Sequence, residues 1–162
     1  MDITHSATRE RPHRLPRASY RGEVAVAFTA RLARGSFPID NAGVCGAVIT
    51  ALATAASRHA CAVPVYCFMP DHVHLVLMGV TTASDTWKAM TAFKQRSGYW
   101  LSQYLPGTHW QKDFYDHVLL DDSELRAAMA YIAANPVRAG LVCELGEYPL
   151  TGSIGFAADH AG

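Results

Sequence analysis

Residues 64–79, PVYCFMPDHVHLVLMG, hold two apolar runs separated by Pro70-Asp71. Such runs on either side of a turn dipeptide predict two strands joined tightly as a hairpin, PVYCFM (64–69) and HVHLVLM (72–78). In a strand, residues i and i+2 point to the same face. His72 and His74 therefore project side by side from one face, where the pattern calls for valine or leucine. Two readings stay open on spacing alone: a pair of satisfied core histidines, or half of a metal site.

The rest of the chain builds around that hairpin. GEVAVAFTARL (22–32) alternates Val24, Val26 and Phe28 with smaller residues and predicts a first strand. NAGVCGAVITALATAASRHA (41–60) places Val44, Val48, Ile49 and Leu52 near helical spacing. Ser84 and Asp85 cap a second helix reaching about Tyr104, with Trp87, Met90, Trp100, Leu101 and Tyr104 on its buried side. Pro106-Gly107 breaks the chain, and 109–120 reads as a further strand. Asp121 and Glu124 have capping-box spacing and open a third helix that Gly140 ends. The order β-α-β-β-α-β-α predicts an α+β sandwich: one antiparallel sheet with helices packed on it.

Length and charge set the domain plan. The 162 residues fit a single domain over 18–162, preceded by a flexible basic arm over 1–17. Net charge is zero, but it is unevenly spread. Residues 1–35 carry seven arginines against three acidic groups, and the remainder seven basic against eleven acidic residues. A basic arm on an acidic body suits phosphate contacts, and equally a solvated tail. No apolar stretch approaches the ~20 residues of a membrane helix, and the polar, Arg-rich N-terminus lacks a secretory h-region. A cytoplasmic protein with no membrane partner is expected. Cys45, Cys61, Cys67 and Cys143 fit no zinc or disulfide spacing and are expected as small buried hydrophobes.

On the third helix Leu125, Ala128, Met129 and Ile132 fall in one sector, the predicted core stripe. Tyr131 lies off the centre of that stripe, with Asn135 beside it at i+4. A residue before proline is pushed from helical geometry, so Pro136 predicts a bend or pause at Asn135.

Taken together, MPDHVHLVL, WKAMTAFKQRSGYWL, WQKDFYDHVLLDDSEL, YIAANPVRAGLV and EYPLTGS resemble the Y1 (HUH) transposases of the IS200 type. The REP-associated tyrosine transposases are the nearest branch. The resemblance runs from about residue 20 to 153, in order and at ordinary spacings. It implies a ferredoxin-like or RRM-like fold with an antiparallel sheet of four to five strands. His72 and His74 match the HUH motif, Tyr131 the nucleophilic tyrosine, and Asn135 the place of a third, polar metal ligand. The implied activity is metal-dependent cleavage and transfer of single-stranded DNA near palindromic hairpins, through a covalent phosphotyrosine. Mg²⁺ or Mn²⁺ suits imidazole, amide and phosphate ligands, and no nucleotide cofactor is required. A monomer is expected over a homodimer.

Other assignments accompany that reading. His117 is a further ligand, a group orienting one, or a surface histidine. Tyr115, which alternates with His117, is the main rival nucleophile. Arg14, Arg17, Arg21, Lys88, Lys94, Arg96 and Arg138 are candidates for DNA phosphate contacts, and Trp110 and Phe114 for base stacking. Leu120 stands where the family often carries arginine, and Thr151-Gly152-Ser153 where it carries paired serines. The alternative function is a domesticated hairpin-binding protein that does not cleave. A replication initiator or relaxase fits less well, because here the tyrosine follows the histidines.

Overall fold

The computed structural model describes residues 14–155. Its strands are β1 (Ala25–Arg31), β2 (Cys61–Met69), β3 (His72–Gly79), β4 (Tyr115–Leu119) and β5 (Thr151–Ile154). Its helices are α1 (Ala42–Arg58), α2 (Thr86–Tyr104), α3 (Asp122–Ala133) and the short α4 (Asn135–Arg138). All five strands form one antiparallel sheet in the order β4-β1-β3-β2-β5. The expected α+β fold is borne out, with β5 added at the edge beside β2.

Strand alternation sorts the side chains into two layers. Val26, Phe28 and Ala30 of β1 and Val73, Leu75 and Leu77 of β3 enter the main core beneath α1 and α2. Val65, Cys67 and Met69 of β2 and Val76 of β3 face the other way, where α3 covers them with Ile132, Leu125, Ala128 and Met129. The stripe read on α3 is thus the one that packs. His72 and His74 share the parity of Val76 and lie on this second face.

Local signals set most of the boundaries. Asp85 caps α2 by accepting from the Lys88 N–H at 2.9 Å. Asp121 accepts from the Glu124 N–H at 2.8 Å, and Glu124 accepts in return from the Leu120 N–H at 2.7 Å. This is a capping box whose return bond lands one residue early. A pause also appears, but at Ala134, one residue earlier than expected: α3 ends at Ala133 and Asn135 itself opens α4.

Several expectations need correction. β2 begins at Cys61 rather than Pro64, and its register with β3 slips between Ala62 and Val65. Pro64 lies in that slip and has no N–H to give the ladder. The strand expected over 109–120 is confined to β4, with Trp110 only bridging Leu32. The carbonyls of 111–113 turn instead to Lys94 Nζ, at 2.7, 3.1 and 3.3 Å. Tyr104 is exposed and stacks on Trp100 rather than entering the core. Cys143 is exposed, whereas Cys45 and Cys67 are buried.

Residues 1–13 of the expected arm lie outside the described residues. Its last part is held against the body. Arg14 donates to the Phe114 carbonyl at 2.8 Å, and Arg17 lies 4.0 Å over the Trp87 ring. No helix among the described residues is long and apolar enough to cross a membrane.

Candidate active site

The second sheet face carries the polar cluster. The His72 and His74 rings stand 4.8 Å apart at 84°. Each is fixed through Nδ1: His72 to Asp71 Oδ1 at 2.6 Å, and His74 to Thr29 Oγ1 at 2.8 Å. Thr29 reaches His74 because β1 and β3 pair these two residues directly. With both Nδ1 atoms engaged, the Nε2 atoms are the ones left to act. Burial, then the neighbouring His72 and the charges of Arg31 and Arg138, push His74 down to about 4. It is therefore neutral near pH 7, the state in which imidazole binds a cation.

Tyr131 stands on α3 above this face, 61% exposed. The Arg138 guanidinium covers its ring and also donates to the Tyr131 carbonyl at 2.7 Å and to Asn135 Oδ1 at 3.3 Å. That carbonyl is among the four that a helix end leaves without a helical partner. The side chain of α4 thus closes the end of α3 and ties Tyr131 to Asn135.

A cavity of about 670 Å³ separates α3 from the β4-β1 edge. His74 and Thr29 line it from the sheet, Tyr131 and Glu124 from the helix, and Tyr115 and His117 from β4. One concavity is therefore lined by both an anchored imidazole and the tyrosine.

Two imidazoles, close together and held through their second nitrogens, fit two ligand positions of a divalent cation. Asn135 Oδ1 keeps a lone pair beyond its bond to Arg138, and Asn135 Nδ2 is buried with no hydrogen-bond partner among the described residues. No group of three or more His, Cys, Asp or Glu side chains with metal-binding geometry occurs among the described residues. Further ligands would have to come from the amide, solvent or substrate. His117 stands two strands from His74, across β1, a separation of roughly 10 Å or more by strand spacing. It is a wall of the cavity, not a neighbour of the pair.

The basic candidates divide. Lys94 spends its ammonium on three carbonyls, and Arg14 pairs with Asp116 at 3.8 Å while lying over Trp87 and Phe114. Arg21 pairs with Asp85 at 3.6 Å. Lys88 and Arg96 are on α2, which packs on the opposite face of the sheet from the histidines. Trp110 is buried, its indole N–H donating to Ser97 Oγ, and Phe114 packs on Phe28 and Trp87. Neither offers a free stacking face. Of the seven basic candidates, Arg138 alone touches the tyrosine. Sequence alone marks Glu124 only as a helix cap, and gives Arg31 and Thr29 no place in the site. Their closeness to the site depends on sheet register and helix docking, which no local pattern carries.

The family model described as "Transposase IS200 like" matches residues 39–135, a span that includes His72, His74, Tyr131 and Asn135. A Haemophilus influenzae protein described as a REP-associated tyrosine transposase is 30% identical over 100 residues, covering 51% of this chain and 53% of that relative. The chain thus spans about half the length of the curated relative it matches. A solved structure of a REP-associated tyrosine transposase bound to a REP hairpin is similar with a TM-score of 0.70. It is 19% identical and the match covers 86% of this chain and 80% of that one, a likeness of fold.

Proposed function

This chain belongs to the IS200-like transposase family, and from that premise we propose that it cleaves and rejoins single-stranded DNA beside a palindromic hairpin. The observation that carries the reading is one cavity lined by both His74 and Tyr131, with His72 next to His74. His72 and His74 would hold Mg²⁺ or Mn²⁺ through Nε2, with Asn135 Oδ1 as a third ligand. A divalent ion bound there would supply positive charge to the non-bridging phosphate oxygens and polarise phosphorus.

The chain's own groups do the rest. Asp71 and Thr29 keep the imidazoles oriented, so little reorganisation is needed when phosphate arrives. The Tyr131 oxygen attacks phosphorus in line and loses its proton. The P–O3′ bond breaks, and the departing 3′ oxygen takes up a proton. The product is a phosphotyrosine that conserves the phosphodiester bond energy, plus a free 3′-OH. Attack of a 3′-OH on that link reverses the chemistry and reseals or transfers the strand, with no nucleotide cofactor. Because His74 and Tyr131 line a cavity within one chain, a monomer acting in cis is the form this reading favours.

The test is incubation with a hairpin-bearing oligonucleotide and Mn²⁺, followed by denaturing electrophoresis. A covalent adduct is expected for the wild type and none for Tyr131→Phe or in excess EDTA. Hairpin binding insensitive to EDTA, with no adduct across varied hairpins, would instead mark a binding protein that does not cleave.

A further inference from the structure

The open concavity beside Tyr131 is wider than in-line attack on a phosphate needs. Its helix wall is made by residues 124, 127, 128, 131 and 132, which is one face of α3. Between the long side chains Glu124 and Tyr131 stand only Ala127 and Ala128, and Ala27 of β1 faces them across the gap. Small residues on both walls make the space. At about 670 Å³ it lies within the ~300–1,000 Å³ typical of small-ligand sites.

Its position relates it to the reaction. Glu124 and Tyr131 are seven residues apart, about 10.5 Å along the helix axis. That is the order of a nucleotide's own length from phosphate to base edge. A strand with its phosphate at the Tyr131 hydroxyl therefore has a neighbouring base within reach of Glu124. The partly buried Tyr115 ring on β4 forms another wall and offers a surface for a base to pack on. Glu124 Oε2 already accepts from the Leu120 N–H, which leaves Oε1 as the acceptor at the far end.

We propose that this alanine-walled cavity is a subsite for one unstacked nucleobase of the strand flanking the hairpin, with Glu124 reading its edge. The proposal rests on the transferase reading above. A carboxylate oxygen accepts from an exocyclic amino group, so the subsite favours adenine, cytosine or guanine over thymine. Base and phosphate are then located together: the subsite sets which phosphodiester meets Tyr131.

Two variants probe it. Ala27→Leu fills the cavity from the sheet side, away from α3. Glu124→Gln keeps an oxygen for the Leu120 N–H, since glutamine serves in a capping box, and turns an amide donor toward the base. Adduct formation is followed on hairpin oligonucleotides carrying one abasic site at each flanking position in turn. The wild type should lose at least tenfold in rate at one position. Ala27→Leu should show that loss on the intact strand and no further loss at the abasic position. Glu124→Gln should shift the preference there toward thymine.

A readout without cleavage separates this from the reaction itself. Tyr131→Phe is bound to hairpins with 2-aminopurine at each flanking position, and fluorescence should rise at the same single position as the base unstacks. Adduct formation without any position-specific abasic loss overturns the subsite and leaves the transferase reading standing. A fluorescence response with no adduct from the wild type does the reverse. Should Ala27→Leu fail to fold, an unchanged base preference in Glu124→Gln still overturns the proposal.

Discussion

The Arg138 guanidinium lies 3.8 Å from the centre of the Tyr131 ring and donates to the Tyr131 carbonyl at 2.7 Å. One cation thus holds the residue proposed to attack phosphorus by its ring and by its backbone. A cation over an exposed ring contributes ~0.5–1 kcal/mol, and the bond to the helix-end carbonyl adds to it. Arg138→Ala should slow adduct formation about tenfold, which corresponds to about 1.4 kcal/mol, while hairpin affinity changes little. Arg138→Lys should recover part of the rate. An equal loss in affinity and rate would show that Arg138 serves DNA binding instead.

His74 predicts a pH-dependent stability in metal-free protein. The unfolded side chain takes a proton near 6.5, whereas the folded one resists until about 4. Between those values the unfolded state binds more protons, so stability falls as pH drops through that window. The loss is at most about 3 kcal/mol. Asp71, held low first by its hydrogen bond with His72, loses its contribution only as pH falls below about 3.8. Urea unfolding in EDTA at pH 7.5, 5.5 and 4.5 should show the His74 slope, and His74→Gln should flatten it. Equal slopes would exclude the assignment.

Lys94 should behave as a structural residue. Its three donors all meet carbonyls of the segment leading into β4. Lys94→Met should lower stability by roughly 1–3 kcal/mol and leave the salt dependence of hairpin binding unchanged. A shallower salt slope, of the size one lost phosphate contact produces, would return Lys94 to the DNA interface.

Gly79 ends β3 where three segments meet. A Cβ there would collide with the Gly22 carbonyl and stand 2.8 Å from the Ser84 Cβ. Ser84 Oγ in turn receives the Val80 and Thr81 N–H groups. Gly79→Ala should cost at least ~1–3 kcal/mol, the range for overpacked interiors, measured by denaturant unfolding. A neutral result would mean that the 81–85 turn gives way easily.

Native thiol reactivity tests the packing of both layers. Burial pushes the Cys45 and Cys61 thiols up to about 11 and raises Cys67 as well, while Cys143 is exposed. An aromatic disulfide reagent at pH 8 should titrate one thiol rapidly in folded protein and all four after unfolding. Rapid reaction of a second thiol would show that one of the two layers opens.

What the chain determined by itself is local. A period of two put His72 and His74 on one face, Asp121 and Glu124 started α3, and Pro136 stopped it beside Asn135. Each of these depends on neighbours within a few positions. The tertiary structure decided who stands opposite whom. Thr29 meets His74 only because β1 pairs β3 in that register, and β5, four residues laid against Val63, Tyr66 and Cys67, exists only as an addition to β2. Lys94 became an anchor, and Ala27 and the Ala127-Ala128 pair, distant in sequence, became facing walls of one cavity. Periodicity fixes the face a side chain occupies. The partner across the gap is set by sheet order and helix docking, which are sums over contacts between distant segments.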